Sequence, residues 1–342
     1  MIVIHIESGL GNQMLSYCEY LSLKHANPEQ EFYLETIVYE IPECNDAICQ
    51  WNGYELERIF HIDSPPNIKT LFPQDEWARI IQEIRDTQFW KHNWNYPKFF
   101  TQVLNRHGLK LENVHGDFGE ERKTTLDGLK ESGCYLFAKR CLHSLFEKRY
   151  ACRNDFRAKL FAKYEGDVFT GQWLRLKYRG NDRELIENEM KSTFVFPEIE
   201  DARNKAMADY LKSVDAVAIH ARRGDMLGTI AWCYQHGYFR RAVRRIRRRV
   251  AHPVFVFFTD PGSIGWCKEN ASVFGLDFKR DTIKFVDWNQ GEDSFRDMQL
   301  MGMCKHAIIT LSSFGWWGAW LIDNPKKITL SPLIEIDTTD HC

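Results

Sequence analysis

Short apolar runs separated by helix-length stretches organise the second half of the chain. The runs at 214–221, 254–259, 282–286, 307–311 and 327–330 read as strands, and the apolar stretch Val214 to Ile219 reads as one buried in a parallel sheet. Between them, residues at about 234–250, 263–270, 293–305 and 315–322 follow helical spacing. Strands and helices alternating in this way predict a doubly wound parallel sheet in an α/β fold. The first half opens similarly: residues 2–6 predict a strand, a glycine-bearing loop follows, and a helix-like stretch runs to about His25. It then becomes irregular, with aromatic clusters at Phe89-Trp90 and Trp94-Asn95-Tyr96. A boundary falls near residue 200, where Phe196-Pro197-Glu198 precedes a polar helix-like stretch, which gives an amino-terminal domain over 1–200 and a carboxyl-terminal domain over 201–342.

Candidate chemistry concentrates where strands end. Ala218-Ile219-His220-Ala221-Arg222-Arg223-Gly224-Asp225 puts two guanidinium groups on a turn at the carboxyl end of a buried strand, the place where open α/β sheets hold ligands. A planar fork of donors suits phosphate oxygens. Ion pairing of Arg222 and Arg223 with Asp225 and other surface carboxylates is the plain alternative. A second segment, Leu311-Ser312-Ser313-Phe314-Gly315-Trp316-Trp317, leads from a strand into a helix expected near Gly315. Ser312 or Ser313 caps that helix, whose free amides favour negative charge. Trp316, Trp317 and Trp320 recur at helical spacing and read as core. In the third segment, Ser8-Gly9-Leu10-Gly11-Asn12-Gln13, two glycines allow close approach of backbone to a ligand. Met14 stands where the dinucleotide fingerprint needs a third glycine and no ribose-binding acid follows, which argues against a nicotinamide dehydrogenase.

Composition narrows the classes further. The 342 residues are 44% hydrophobic, enough for two cores, and a formal net charge of -2 gives no basic footprint for nucleic acid. Ten cysteines lack Cys-x-x-Cys spacing, so neither a zinc site nor a redox pair is expected; their scatter reads as reduced thiols of a cytoplasmic protein, with a secreted disulfide framework as the alternative that count alone leaves open. The apolar start is too short for a signal peptide or a membrane span. Eleven tryptophans fit a glycan-binding protein, yet a mere lectin has no use for paired phosphate cradles. One local exception to the neutral charge balance is the run from Arg240 to Arg249, with seven arginines, and Phe239, Val243, Ile246 and Val250 at helical spacing. It reads as a solvated helix over the sheet, or as a contact for an anionic membrane surface.

Together the three motifs resemble the α1,2-fucosyltransferase family. The resemblance rests on Gly9-Leu10-Gly11-Asn12-Gln13, on His220-Ala221-Arg222-Arg223-Gly224-Asp225, and on the run from Asp293 through Ser312-Ser313-Phe314-Gly315-Trp316-Trp317-Gly318-Ala319-Trp320-Leu321. It is near continuous from about 216 to 332 and thin from about 45 to 190. Phe257-Phe258-Thr259-Asp260 sits where the family has a strand ending in a Ser-Asp-Asp-like turn, with Pro261 replacing the second aspartate. What the resemblance implies is a GT-B-like fold: two Rossmann-like domains facing across a cleft, with the donor site mainly in the carboxyl-terminal domain. The implied reaction is metal-free, inverting transfer of L-fucose from GDP-β-L-fucose to O2 of a terminal β-galactoside. The implied product is of the kind found in surface-polysaccharide or milk-type glycans. Without the Golgi anchor of animal relatives, a bacterial cytoplasmic enzyme making O-antigen or capsule is the simpler inference, and the membrane reading of the arginine-rich helix would place it at the inner membrane on a lipid-linked acceptor.

The same resemblance distributes roles. It carries the β-phosphate contact onto Arg222, the remaining phosphate oxygens onto Ser312, Ser313 and the amides around Phe314, and a diphosphate or fucose contact onto Gly11 and Asn12. Asp297, within Arg296-Asp297-Met298-Gln299-Leu300, takes the place of the aspartate that reads guanine N1 and N2 hydrogens, and His220 that of a second guanine contact. From the residues alone, Asp297 pairs equally well with Arg296 or Lys305, and His220 is an ordinary core histidine. Asp225 takes the acceptor's proton, orients Arg222 or braces the turn. Glu7 and Glu292 are other carboxylates close to the motifs.

Overall fold

The computed structural model describes residues 1–114, 162–171 and 181–332. Two parallel sheets organise two units of the chain. The first unit comprises Met1–Glu7, Ser16–Gln50 and Asp63–Lys191, and the second Ser8–Leu15, Trp51–Ile62 and Ser192–Cys342.

In the first unit, strands β1 (Ile2–His5), β2 (Phe32–Glu35), β3 (Glu112–Asn113) and β4 (Val168–Thr170) pair in parallel in the order β2-β1-β4-β3. Helix α1 (Leu10–Ala26) follows β1. Two further helices, α2 (Gln74–Asp86) and α3 (Tyr96–Arg106), turn Trp77, Ile80, Ile84, Phe100, Val103 and Leu104 into a core around Val3 and Phe169. The aromatic clusters belong to that core: Phe89 is fully buried and Tyr96 nearly so. His5, at the end of β1, stacks on Tyr96 with ring centroids 3.8 Å apart. Its Nδ1 lies 2.5 Å from Glu35 Oε2 and its Nε2 3.3 Å from Glu7 Oε2. Burial alone lowers the pKa of this imidazole, but Glu35 and Glu7 outweigh it and raise the value to about 9. Glu7 also accepts the Trp94 indole N–H at 2.5 Å.

The second unit holds β5 (Asp215–Ala221), β6 (Pro253–Thr259), β7 (Thr282–Val286), β8 (His306–Ile309) and β9 (Thr329–Leu330), all parallel, in the order β7-β6-β5-β8-β9. The inner strands β6, β5 and β8 are buried on both faces and almost wholly apolar, whereas the edge strand β7 exposes Thr282 and Lys284. Val217, Ile219, Phe255 and Phe257 face one core, with Phe239, Val243 and Ile246 of helix α4 (Tyr238–Arg247). Ala216, Ala218, Val256 and Phe258 face the other, with Leu300 and Met301 of α5 (Phe295–Gly302) and Ala319 of α6 (Ser313–Trp320). All seven arginines between Arg240 and Arg249 are exposed, and Arg247 pairs with Asp281 at 2.7 Å. No helix among the described residues is long and apolar enough to cross a membrane.

Strand order reverses between β5 and β8, with β6 and β7 on one side and β9 on the other. This is the order of a dinucleotide-binding sheet, whose ligand crevice lies beyond the carboxyl ends of the two strands flanking the reversal. Here those ends lead into Arg222 and into Ser312.

Candidate functional site

Arg222 is the first residue past β5, and its backbone is fixed on both sides. Its N–H donates to Thr310 Oγ1 at 3.1 Å, beyond β8, and its carbonyl accepts from the Tyr234 hydroxyl. The guanidinium is held as firmly. Nη1 pairs with Asp260, at the end of β6, whose side chain is 5% exposed; Nη2 meets Asp225 Oδ1 at 2.5 Å, and that carboxylate is 47% exposed. Asp260 also accepts the Arg223 N–H at 2.5 Å, so one buried carboxylate fixes both the turn and the arginine. Arg223 itself stacks on Trp266, its guanidinium carbon 3.3 Å from the ring centroid.

Two helix amino termini converge beside this arginine's strand. Helix α1 begins at Leu10, so Gly11, Asn12 and Gln13 form its first turn; the glycines do not extend the loop as far as sequence predicts. Gly11 is needed for proximity instead: a Cβ there would lie 2.5 Å from Phe314 N and 2.7 Å from Ser313 C, in the first turn of α6. Ser313 Oγ donates to Asn12 Oδ1 at 2.5 Å, and the buried Trp317 indole donates to Gly11 O at 2.9 Å. Helix α6 starts at Ser313, two residues before the expected Gly315; Ser312 occupies the cap position in extended conformation and makes no side-chain capping bond. With Ser313 turned to Asn12, neither serine closes the helix end. Two positive dipole ends therefore lie together, which is an arrangement suited to an anion of more than one charge.

Period two along β5 places His220 on the face of α6. The ring is buried, stacks on Phe314 with centroids 5.8 Å apart, and abuts Gly315, where a Cβ would meet Cγ at 2.9 Å. Nδ1 has no hydrogen-bond partner among the described residues. Burial, helped by the Arg222 charge, lowers the pKa to about 3, so the imidazole is neutral. Asp297, on α5, accepts from Asn289 Nδ2 at 2.8 Å. It pairs with neither suggested cation: Arg296 donates to Pro197 O and Gln299 Oε1, and Lys305 lies 2.9 Å from Asp215. Burial raises the Asp297 carboxyl to about 7, against the lowering effect of the Asn289 hydrogen bond.

Sequence reasoning gave Asp260 no role and passed over Trp51 altogether. Trp51 lies with its ring centroid 4.6 Å from the Arg222 guanidinium carbon and its edge against Gly9, where a Cβ would fall 2.8 Å from Cδ1. The side chain is large, apolar and 46% exposed, and its backbone is left-handed at φ 52°. That conformation costs a non-glycine residue about 1–2 kcal/mol. It is held in place by Gln13, whose Nε2 donates to Gly53 O at 2.7 Å and whose Oε1 accepts from Glu55 N at 2.8 Å. Asn52 Nδ2 adds bonds to Gly291 O at 2.9 Å and Ser294 Oγ at 3.2 Å. A cavity of about 700 Å³ opens elsewhere, at the amino ends of β5, β6 and β7, lined by Asp215, Arg247 and Lys305 and by none of Trp51, Arg222, Asp297 or Ser312.

An arginine and two helix amino termini at the reversal point of a Rossmann-type sheet are groups suited to an anionic ligand, on an α/β fold. Residues 141–337 match the sequence model of glycosyl transferase family 11, and the chain belongs to that family of glycosyltransferases. It is 28% identical over 261 residues to the α-1,2-colitosyltransferase of Escherichia coli, a match covering 70% of this chain and 85% of that one. Against the galactoside α-(1,2)-fucosyltransferase 1 of Homo sapiens it is 32% identical over 110 residues, 31% of this chain and 28% of that one. Among solved structures, the fucosyltransferase NodZ from Bradyrhizobium superposes with a TM-score of 0.43 at 12% identity, over 94% of this chain and 91% of that one.

Proposed function

We propose that this glycosyltransferase moves L-fucose, with inversion, from GDP-β-L-fucose to O2 of a terminal β-galactoside of a bacterial surface glycan. The observation that carries the reading is the placement of Arg222 beside two converging helix amino termini at the sheet's reversal point. In the reaction the acceptor oxygen bonds to C1 of fucose, the C1–O bond to the β-phosphate breaks, and GDP departs with the electron pair. Negative charge grows on the β-phosphate, and preorganised positive charge beside it is the largest available stabilisation. Arg222 supplies that charge, aimed by the buried Asp260. The exposed Asp225 holds Nη2 until phosphate displaces it, and the freed carboxylate takes the acceptor's proton. Ser312, the amides of Ser313 and Phe314, and Gly11 with Asn12 hold the remaining phosphate oxygens.

Fixed protein charge makes a metal unnecessary in this scheme. Incubation with GDP-β-L-fucose and a β-galactoside in excess EDTA is expected to give full activity and an α1,2-linked product by linkage analysis. Loss in EDTA with rescue by manganese, or a linkage elsewhere on galactose, would overturn the corresponding part. A second donor is favoured by the most extensive relative reported above, whose name specifies colitose. Colitose is fucose lacking the 3-hydroxyl, so competition between the two GDP sugars decides between them.

Guanine is read by Asp297 as a carboxylate accepting the N1 and N2 hydrogens, with His220 as the neighbouring contact. Because the free carboxyl titrates at about 7 and binding requires the ionised form, GDP affinity is expected to fall as pH drops through 7, by up to tenfold per unit. Above that pH it should level off. Calorimetry at pH 6 and pH 8 on the protein and on Asp297→Asn separates this from titration of the phosphate itself. The variant should bind more weakly at pH 8 and lose the extra slope; equal slopes would remove Asp297 from the base.

A further inference from the structure

The geometry points to Trp51 as the wall against which the transferred sugar lies, reading the deoxygenated C6 of a 6-deoxyhexose. This rests on the donor proposed above. Once the β-phosphate sits on Arg222, the sugar is the next group along the donor, one bond from that phosphate. Trp51 already lies over the Arg222 guanidinium, its ring centroid 4.6 Å from the guanidinium carbon, and much of its surface is exposed. An indole presents an apolar, electron-rich surface with room for C–H groups. The apolar part of fucose is its C5-methyl group and the adjoining C–H face, and colitose shares that methyl. A hydroxyl on C6 would have to shed water to lie on the same ring, which disfavours an ordinary hexose.

The loop is built to hold the ring there. Gln13 ties Gly53 and Glu55 to the first turn of α1, Asn52 ties the other side to Gly291 and Ser294, and the absence of a side chain at Gly9 leaves the indole its seat. Among the described residues, the other exposed large apolar side chains are Leu71, Val195 and Phe278; Trp51 is set apart by its seat over the Arg222 guanidinium. A left-handed tryptophan restrained from both sides and left open next to an anion-binding arginine is positioned for a ligand, not for the core.

Calorimetry with GDP, GDP-L-fucose and GDP-L-galactose tests this without an acceptor, since the last two differ by one hydroxyl on C6. The protein should prefer GDP-L-fucose by about tenfold or more, the scale an apolar surface achieves against an added hydroxyl. Trp51→Ala should shrink that preference to about twofold while GDP affinity changes less than about threefold, and Trp51→Phe should keep most of the preference. Trp51→Gly, which also suits the positive φ, supplies a second ring-free variant with melting temperature as the folding control. An unchanged preference in the ring-free variants overturns the inference. So does a loss of GDP affinity as large as the loss for GDP-L-fucose, because the ring would then serve the nucleotide. Failure of the protein itself to bind GDP would instead sink the donor assignment, leaving the two readings distinguishable.

Discussion

Arg222→Lys is expected to lower kcat by about 10²- to 10³-fold, the loss typical of one preorganised donor at a developing charge. Lysine keeps the charge and loses the fork, so it cannot meet the phosphate while remaining on Asp260. Because the missing contact strengthens as charge develops, kcat should fall more than GDP-fucose affinity. Steady-state kinetics beside calorimetry separate the two. Normal kcat with a raised donor KM would show that Arg222 binds ground state and transition state alike, and it would lose its catalytic role. Arg223→Lys is the internal control: its guanidinium is stacked on Trp266, so its replacement should reduce kcat less than about tenfold.

Gly11→Ala is expected to be nearly as damaging through one methyl group. The added carbon would approach the Phe314 nitrogen and the Ser313 carbonyl carbon, both backbone atoms of a helix start, so no side chain can swing aside. The first turns of α1 and α6 must part, at about 1–3 kcal/mol of stability, and the shared anion site widens with them. A lower melting temperature together with GDP affinity reduced on the order of tenfold would be the signature. Gly265→Ala supplies the contrast, because Gly265 sits within a helix with nothing within 4 Å of the added carbon. That change should be neutral or slightly stabilising.

These two residues also mark what is legible from sequence. Strands β5 and β6 announce themselves because burial on both faces removes polar residues, and they differ from their apolar runs by one residue; the edge strand β7 coincides with the expected 282–286 although its Thr282 and Lys284 are exposed. Arg222 is legible because its chemistry is local, a fork of donors on a strand end. Helices α2 and α3 carry apolar residues at helical spacing, Trp77-Ile80-Ile84 and Tyr96-Phe100-Val103, but dense aromatics on both sides obscure the period. The glycines near the amino terminus are weighted toward a loop by their backbone freedom, whereas Gly11 is there for the nearness of residues about 300 positions away. Trp51 gives no local signal at all. Its left-handed backbone and its exposure follow from bonds made by Gln13 and Asn52, and no window of sequence around residue 51 contains those partners together.

Helix α1 is assigned to the second unit for its first six residues and to the first unit thereafter, and Trp51–Ile62 likewise groups with the carboxyl-terminal segment. The carboxyl-terminal half is thus no detachable cassette. A chimera joined near residue 200, made to graft this donor preference onto another acceptor half, inherits its Gly11 and Trp51 equivalents from the foreign parent. The Trp317 indole must then find its carbonyl acceptor in a helix it did not evolve with. Exchange of specificity among such enzymes by recombination is constrained to breakpoints that carry both amino-terminal pieces along, a discontinuous inheritance that a linear domain map conceals.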